Sequence, residues 1–181
     1  VHGPGADRGM VFQKDAVFPW LTVRQNVEFG LKLRKLPKAE VRDTASKWID
    51  LVGLKGWENA YPKELSGGMR KRVDLARVYA TTPPVMLMDE PFGALDHQTK
   101  TVMQEELLHL WGETQSIVVF VTHDLEEAVF LSDIVVVLAA RPGRVKALVD
   151  IDLPRPRDDD MRLTDEFLAQ KRRLHDLLKE D

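Results

Sequence analysis

Val85-Met86-Leu87-Met88-Asp89-Glu90-Pro91 decides how this chain is read: four apolar residues run directly into two carboxylates and a proline. A short continuous apolar run fits a strand covered on both faces, as in a parallel sheet. The C-terminal ends of such strands are where open α/β sheets place their ligands. Two adjacent carboxylates there suit divided work. Asp89 can hold a divalent cation, directly or through water, while Glu90 polarises an attacking water. An ordinary strand-to-loop acidic pair is the alternative, and the pair by itself leaves that choice open.

Working outward, residues 117–121 and 134–139 are two further apolar runs. Between the runs lie an amphipathic helix carrying Met103, Leu107 and Leu110 and a short helix beginning at Asp124. Strand, helix, strand, helix, strand predicts a doubly wound α/β core, with all three runs buried on both faces. A further strand is expected over 145–151, after the Pro142-Gly143 turn. Residues 154–160 read as an exposed linker, and Thr164 caps a last helix with Phe167, Leu174 and Leu178 on one face.

Upstream the pattern is mostly helical. Met10-Val11-Phe12-Gln13 reads as a short strand ending in a polar residue. Thr22 with Gln25 three residues on forms a capping box for a helix bearing Val23, Val27 and Leu31. After Pro37 a second helix carries Val41, Ala45, Trp48 and Val52, and Gly53 stops it. A third helix opens at Ser66, carries Met69, Val73, Ala76 and Ala80, and ends at Pro83-Pro84. Its run Arg70, Lys71 and Arg72 reads as a solvated face.

At 181 residues the chain is long enough for one sizeable domain, or a domain with a subdomain. With 44% hydrophobic and 30% charged residues it has the composition of a globular protein. A formal net charge of −3 gives no argument for nucleic acid, and the lack of cysteine removes disulfides and thiolate metal sites. Val1-His2-Gly3-Pro4-Gly5-Ala6 has neither the basic nor the apolar region of a signal peptide. No apolar run approaches the ~20 residues of a membrane span.

Ser66-Gly67-Gly68 gives a helix start two glycines. A helix N-terminus offers unpaired N–H groups and partial positive charge, and glycine lets a phosphate come close to the backbone. A flexible loop with a serine cap is the plainer reading of those three residues. The longer run Tyr61-Pro62-Lys63-Glu64-Leu65-Ser66-Gly67-Gly68-Met69-Arg70-Lys71-Arg72-Val73 is far more specific. It is followed by Asp89-Glu90, by Gly93-Ala94-Leu95-Asp96 and by Thr122-His123-Asp124. In that order and spacing the chain resembles the ATPase subunit of an ABC transporter. Phe18-Pro19-Trp20-Leu21-Thr22-Val23, Arg141-Pro142-Gly143-Arg144-Val145 and Asp152-Leu153-Pro154-Arg155-Pro156-Arg157 are similar to the subfamily that imports nitrate, sulfonate, taurine and related small anions.

The resemblance implies a partial P-loop NTPase core: a parallel sheet with an inserted helical subdomain. Residues 1–18 would hold the Q-loop strand and loop, and 19–82 the helical subdomain with the signature. Residues 83–152 would form the α/β core with Walker B, D-loop and switch histidine, and 153–181 a linker and C-terminal helix. ATP and Mg²⁺ are the implied cofactors. Glu90, His123 and Gln13 would be catalytic, with Asp89 and Gln13 near Mg²⁺. Leu65, Ser66, Gly67, Gly68 and Met69 would contact nucleotide in trans, although many relatives carry Gln where Met69 stands. Asp96 would be the D-loop aspartate that communicates across the dimer.

The implied partners are a second ATPase subunit paired head to tail, a membrane permease and, indirectly, an extracytoplasmic solute-binding protein. No nucleic acid is implied. The implied place is the cytoplasmic face of the cell membrane, peripherally held. The family's phosphate loop lies upstream of the Q-loop, and this sequence contains no G-x-x-x-x-G-K-[S/T]. Gly3 to Gly9 is glycine-rich but reads as a turn before a strand. The chain is therefore expected to be a fragment, incomplete for ATP binding. A non-enzymatic module supplying trans contacts to an intact ATPase is the alternative. A DNA-repair or chromosome ATPase is disfavoured, because the stretch from Gln13 to Leu65 is too short for a long coiled coil.

Overall fold

The computed structural model describes Gly3 and residues 5–179. Val1, His2 and Pro4, part of the stretch read above as no signal peptide and as a turn, lie outside the described residues. The chain divides into two compact units, Val1–Val121 and Thr122–Asp181.

In the first unit β1 (Arg8–Val11), β2 (Val85–Asp89) and β3 (Ile117–Val121) form a parallel sheet in the order β1-β2-β3. Val11 is paired with Met88, and Met88 with Phe120, so the strand ends come level. Helices α1 (Val23–Leu33), α2 (Lys38–Leu51) and α3 (Gly67–Tyr79) lie between β1 and β2 in sequence, and α4 (His97–Thr114) lies between β2 and β3. The capping box forms as expected: Gln25 N donates to Thr22 Oγ1 at 3.3 Å and Thr22 N to Gln25 Oε1 at 3.0 Å. Gly53, at φ +67°, follows α2 in the left-handed conformation that ends helices.

The three helices bury one another. Val23, Val27 and Leu31 of α1, Val41, Ala45 and Ile49 of α2 and Val73, Ala76 and Tyr79 of α3 are all buried in helices that pack on one another, and Trp48 stacks on Tyr79 at 5.4 Å. Asn26 is fully buried among them. Its side-chain amide donates to the carbonyls of Phe18, Leu21 and Thr22, and its oxygen accepts from Phe18 N, so it ties down the loop before α1.

Several expectations need correction. Burial on both faces is most nearly met in β2, where Met86 and Met88 of one face are covered and Val85 and Leu87 of the other are half-buried. Ile117, Val119 and Val121 of β3 are instead 67%, 50% and 52% exposed. A strand is covered only where something packs on it, and nothing among the described residues covers that face of β3. The run 134–139 does not extend the parallel sheet. It belongs to β4 (Ile134–Ala140), which pairs antiparallel with β5 (Gly143–Asp150) in the second unit. The two residues between them suit a hairpin, whereas a parallel crossover needs a dozen or more. Lys71 is not on a solvated face but is buried in α3.

The second unit also holds α5 (Leu125–Leu131) and α6 (Asp165–Lys179), which pack together. Thr164 Oγ1 accepts from Phe167 N as the cap of α6, and Phe167 and Leu174 are buried, but Leu178 is exposed. The stretch 154–160 is not a bare linker. Arg157 is buried and donates to the carbonyls of Val129, Phe130 and Ser132, which close the C-terminal end of α5, and to that of Leu153.

Candidate functional site

The level ends of β1 and β2 create the site. Beyond Val11 the chain leaves the sheet, and Gln13 Nε2 reaches Glu90 Oε2 at 3.0 Å. Glu90 follows the last residue of β2 with φ +40°, a conformation rare for a non-glycine residue. Its backbone is fixed on both sides: Glu90 N donates to Val121 O at 2.9 Å, and Gly93 N donates to Glu90 O at 3.1 Å. Phe92, buried beside it, packs on Phe120 with ring centroids 5.9 Å apart. Backbone strain held by surrounding contacts is a common mark of functional positions, and here it falls on the carboxylate selected from sequence.

Asp89 ends β2 with an exposed side chain. No group of three or more His, Cys, Asp or Glu suited to a metal occurs among the described residues. Mg²⁺ does not need one, since it keeps several waters and takes one or two carboxylates plus phosphate oxygens. The hard oxygen donors of Asp89 and Gln13 at these strand ends fit that pattern.

The signature segment is built as a helix start. The turn Pro62–Glu64 is closed by Tyr61 N donating to Glu64 Oε2 at 2.7 Å, and Leu65 is buried. Ser66 Oγ accepts from Met69 N at 3.2 Å, so its hydroxyl caps α3. The two glycines differ. A Cβ on Gly67 would meet only Arg70 Nη2, at 3.8 Å, whereas one on Gly68 would lie 2.8 Å from Thr99 Cγ2 of α4. Gly67 leaves the backbone open to an incoming anion, and Gly68 lets two helices pack closely.

Asp96 caps α4 by accepting from Thr99 N at 3.1 Å, and that N–H, with the Thr99 side chain, holds its carboxyl below the usual value. His123 is exposed in the second unit. Its neighbours are well fixed: Thr122 Oγ1 is hydrogen-bonded to the Glu127 carboxylate, and Asp124 accepts from the N–H groups of Glu126 and Glu127 to cap α5. Gln13 and Glu90 are thus brought into contact. The signature and D-loop residues stand at the starts of two helices touching at Gly68 and Thr99, and His123 belongs to the other unit.

Sequence reading missed Lys71 as an internal residue. The signal was available: Lys71, Asp74, Leu75 and Val78 recur at i, i+3, i+4 and i+7, one face of a helix, and that face is buried.

Comparison with known proteins identifies the family. The ABC transporter family matches residues 2–93. An ABC transporter ATP-binding protein of Methanocaldococcus jannaschii, MJ0412, is 54% identical over the whole chain, which covers 67% of that relative. The nitrate import ATP-binding protein NrtD of a Synechocystis species is 57% identical over 85% of the chain and 58% of the relative. The taurine import ATP-binding protein TauB of Rhizobium johnstonii is 51% identical over 86% and 59%. Among solved structures, the dimeric post-hydrolysis state of the ATP-binding cassette MJ0796, bound to ADP and Pi, superposes with a TM-score of 0.67. It is 32% identical and is matched over 81% of this chain and 64% of its own. The chain belongs to the ABC transporter family of ATP-binding proteins. It spans about two thirds of the length of relatives such as MJ0412.

Proposed function

We propose that this chain is part of the ATP-hydrolysing subunit of an importer for a small anion of the nitrate, sulfonate or taurine kind. The observation that carries the reading is the Gln13–Glu90 contact at the ends of two parallel strands, with Asp89 beside it. Glu90 would take a proton from the attacking water. Gln13, already bonded to that carboxylate, would orient it and the water together. His123 would contact the γ-phosphate. Mg²⁺, held by Asp89 and Gln13, would supply charge neutralisation at the phosphates. Catalysis of this kind is mainly positioning plus electrostatic stabilisation.

The open backbone at Gly67 would serve a nucleotide whose phosphate loop lies on the partner subunit, in a head-to-tail dimer. A permease would hold the protein at the cytoplasmic face of the membrane, with the helices between Pro19 and Ala60 as its contact. No described helix is long and apolar enough to cross a membrane. A second reading, in which these residues lend trans contacts to an intact ATPase without hydrolysing ATP themselves, rests on the open backbone at Gly67 at the start of α3.

A form bearing a phosphate loop upstream of Val1 separates the two. Glu90→Gln in that form is expected to bind Mg-ATP normally and to lose about 10²–10⁴-fold in single-turnover hydrolysis. Near-normal hydrolysis by the variant would remove Glu90 as the base. No hydrolysis by the unmutated form, with stimulation of an intact partner, would favour the module.

A further inference from the structure

We propose that Lys71 is a positioning residue: it clamps the backbone that carries Gln13 to the start of α3, so that the signature helix and the Gln13–Glu90 pair move as one body. The inference rests on the functional reading above for its consequence, though not for its geometry. Lys71 is 2% exposed. Its ammonium donates to Phe12 O at 3.0 Å and to Gln13 O at 3.4 Å, the two carbonyls that follow β1. Asp15 Oδ1 lies 3.8 Å away and Asp74 Oδ2 3.9 Å.

Both carboxylates are tied to the same helix. Arg70 Nε donates to Asp15 Oδ2 at 3.1 Å, and Arg70 Nη1 donates to Leu65 O at 2.8 Å, at the foot of the signature. Asp74 is fully buried, accepts from Arg77 Nη2 at 2.6 Å and takes a backbone hydrogen bond from Ala16. Arg77 in turn lies over the Phe18 ring at 5.3 Å. Phe12 to Phe18 is therefore fastened to α3 by four of its side chains, Arg70, Lys71, Asp74 and Arg77, with Lys71 the one that holds the Gln13 backbone.

Stability alone does not account for a lysine here. Replacing a buried ionic group by an apolar side chain of similar volume is often neutral or stabilising. What an apolar residue cannot do is hold two adjacent carbonyls at a set place relative to a helix end. Gln13 points one way to Glu90 while its own carbonyl is held by Lys71. Anything that displaces the Ser66-Gly67 end of α3, such as a phosphate contributed from a partner, would be carried through Lys71 to the Gln13 side chain. A route would then exist from one composite nucleotide site to the other within a single subunit.

The test uses the nucleotide-free chain and nuclear magnetic resonance. Lys71→Met keeps the volume and removes the charge. The expected result is a folded protein whose Ala16 amide exchanges on the order of tenfold faster relative to core amides of α2. The Gln13 side-chain amide resonance should move toward its position in Glu90→Ala, where the acceptor is gone. Lys71→Gln, which keeps a neutral donor, should fall between. Should Lys71→Met unfold, Lys71→Gln and Asp15→Asn decide the matter by the same two signals. An unmoved Gln13 resonance with unchanged Ala16 exchange in folded variants would overturn the proposal. Since no nucleotide is involved, failure of ATP hydrolysis would count against the functional reading and leave this result standing.

Discussion

Strands β2 and β3 look alike as text, five residues each and almost wholly apolar, yet they live differently. β2 has a neighbour on each edge, β1 and β3, and hides Met86 and Met88 completely. β3 has β2 on one edge and leaves every second side chain half exposed or more. Hydrophobic sequence thus marks a demand for cover, and what packs on each face decides whether the demand is met. β4 repeats the lesson in the second unit, where Val137 and Ala139 are covered while Ile134, Val136 and Leu138 are not.

Four changes break or sharpen that comparison. The largest effect is expected at the covered strand: Met88→Ala should cost about 2–5 kcal/mol, because a buried methionine leaves both lost transfer energy and a cavity. Val119→Ala in β3 should cost well under half as much, and equal losses in urea titrations would show that β3 is covered in solution. Next comes Ser66→Ala on α3, a helix that packs on β1. Losing the cap to Met69 N should cost about 0.5–2 kcal/mol, with Ser66→Gly losing only a few tenths.

A third change concerns the second unit, whose helices are joined by charge as well as apolar contact. Glu126 bridges Lys171 at 2.7 Å and Arg162 at 3.1 Å, and the Lys171 hydrogen bond outweighs burial to hold its carboxyl below the usual value. A lowered folded-state value gives stability that is present above the ordinary carboxylate range and is lost as pH falls through the folded value. The stability difference between the protein and Glu126→Gln should therefore be flat from about pH 6 to 8 and shrink below about pH 4.3. A difference that grows in acid would reverse the assignment. The smallest effect on stability is expected for Val119→Thr, within about 0.5 kcal/mol. Light scattering should nevertheless show less self-association, since an exposed apolar strand edge invites pairing with another chain.

Much of the site was legible because its parts are local. Thr22 and Gln25 announce a cap three residues apart, Ser66 opens a helix, and Asp89-Glu90 closes an apolar run; each is a statement about neighbours in sequence. The Gln13–Glu90 hydrogen bond joins residues far apart in the chain, and only the parallel register of β1 on β2 brings them together. The same holds for Asn26, whose buried amide finds its partners only once the preceding loop folds over it.

The sequence by itself determined the element types, the caps, the order of the nucleotide-handling motifs and the family. The element types, caps and motif order depend on periodicity and spacing along one chain, and the family on the resemblance those motifs carry. Tertiary structure alone decided which apolar strands were covered, that residues 134–140 turn back as a hairpin, that Glu90 takes a strained backbone, and that one of three consecutive cations, Lys71, points inward. The physical reason is common to all four. Burial and strain are properties of what packs against a residue, and a charge enters the interior only where distant carbonyls and carboxylates have been assembled to receive it.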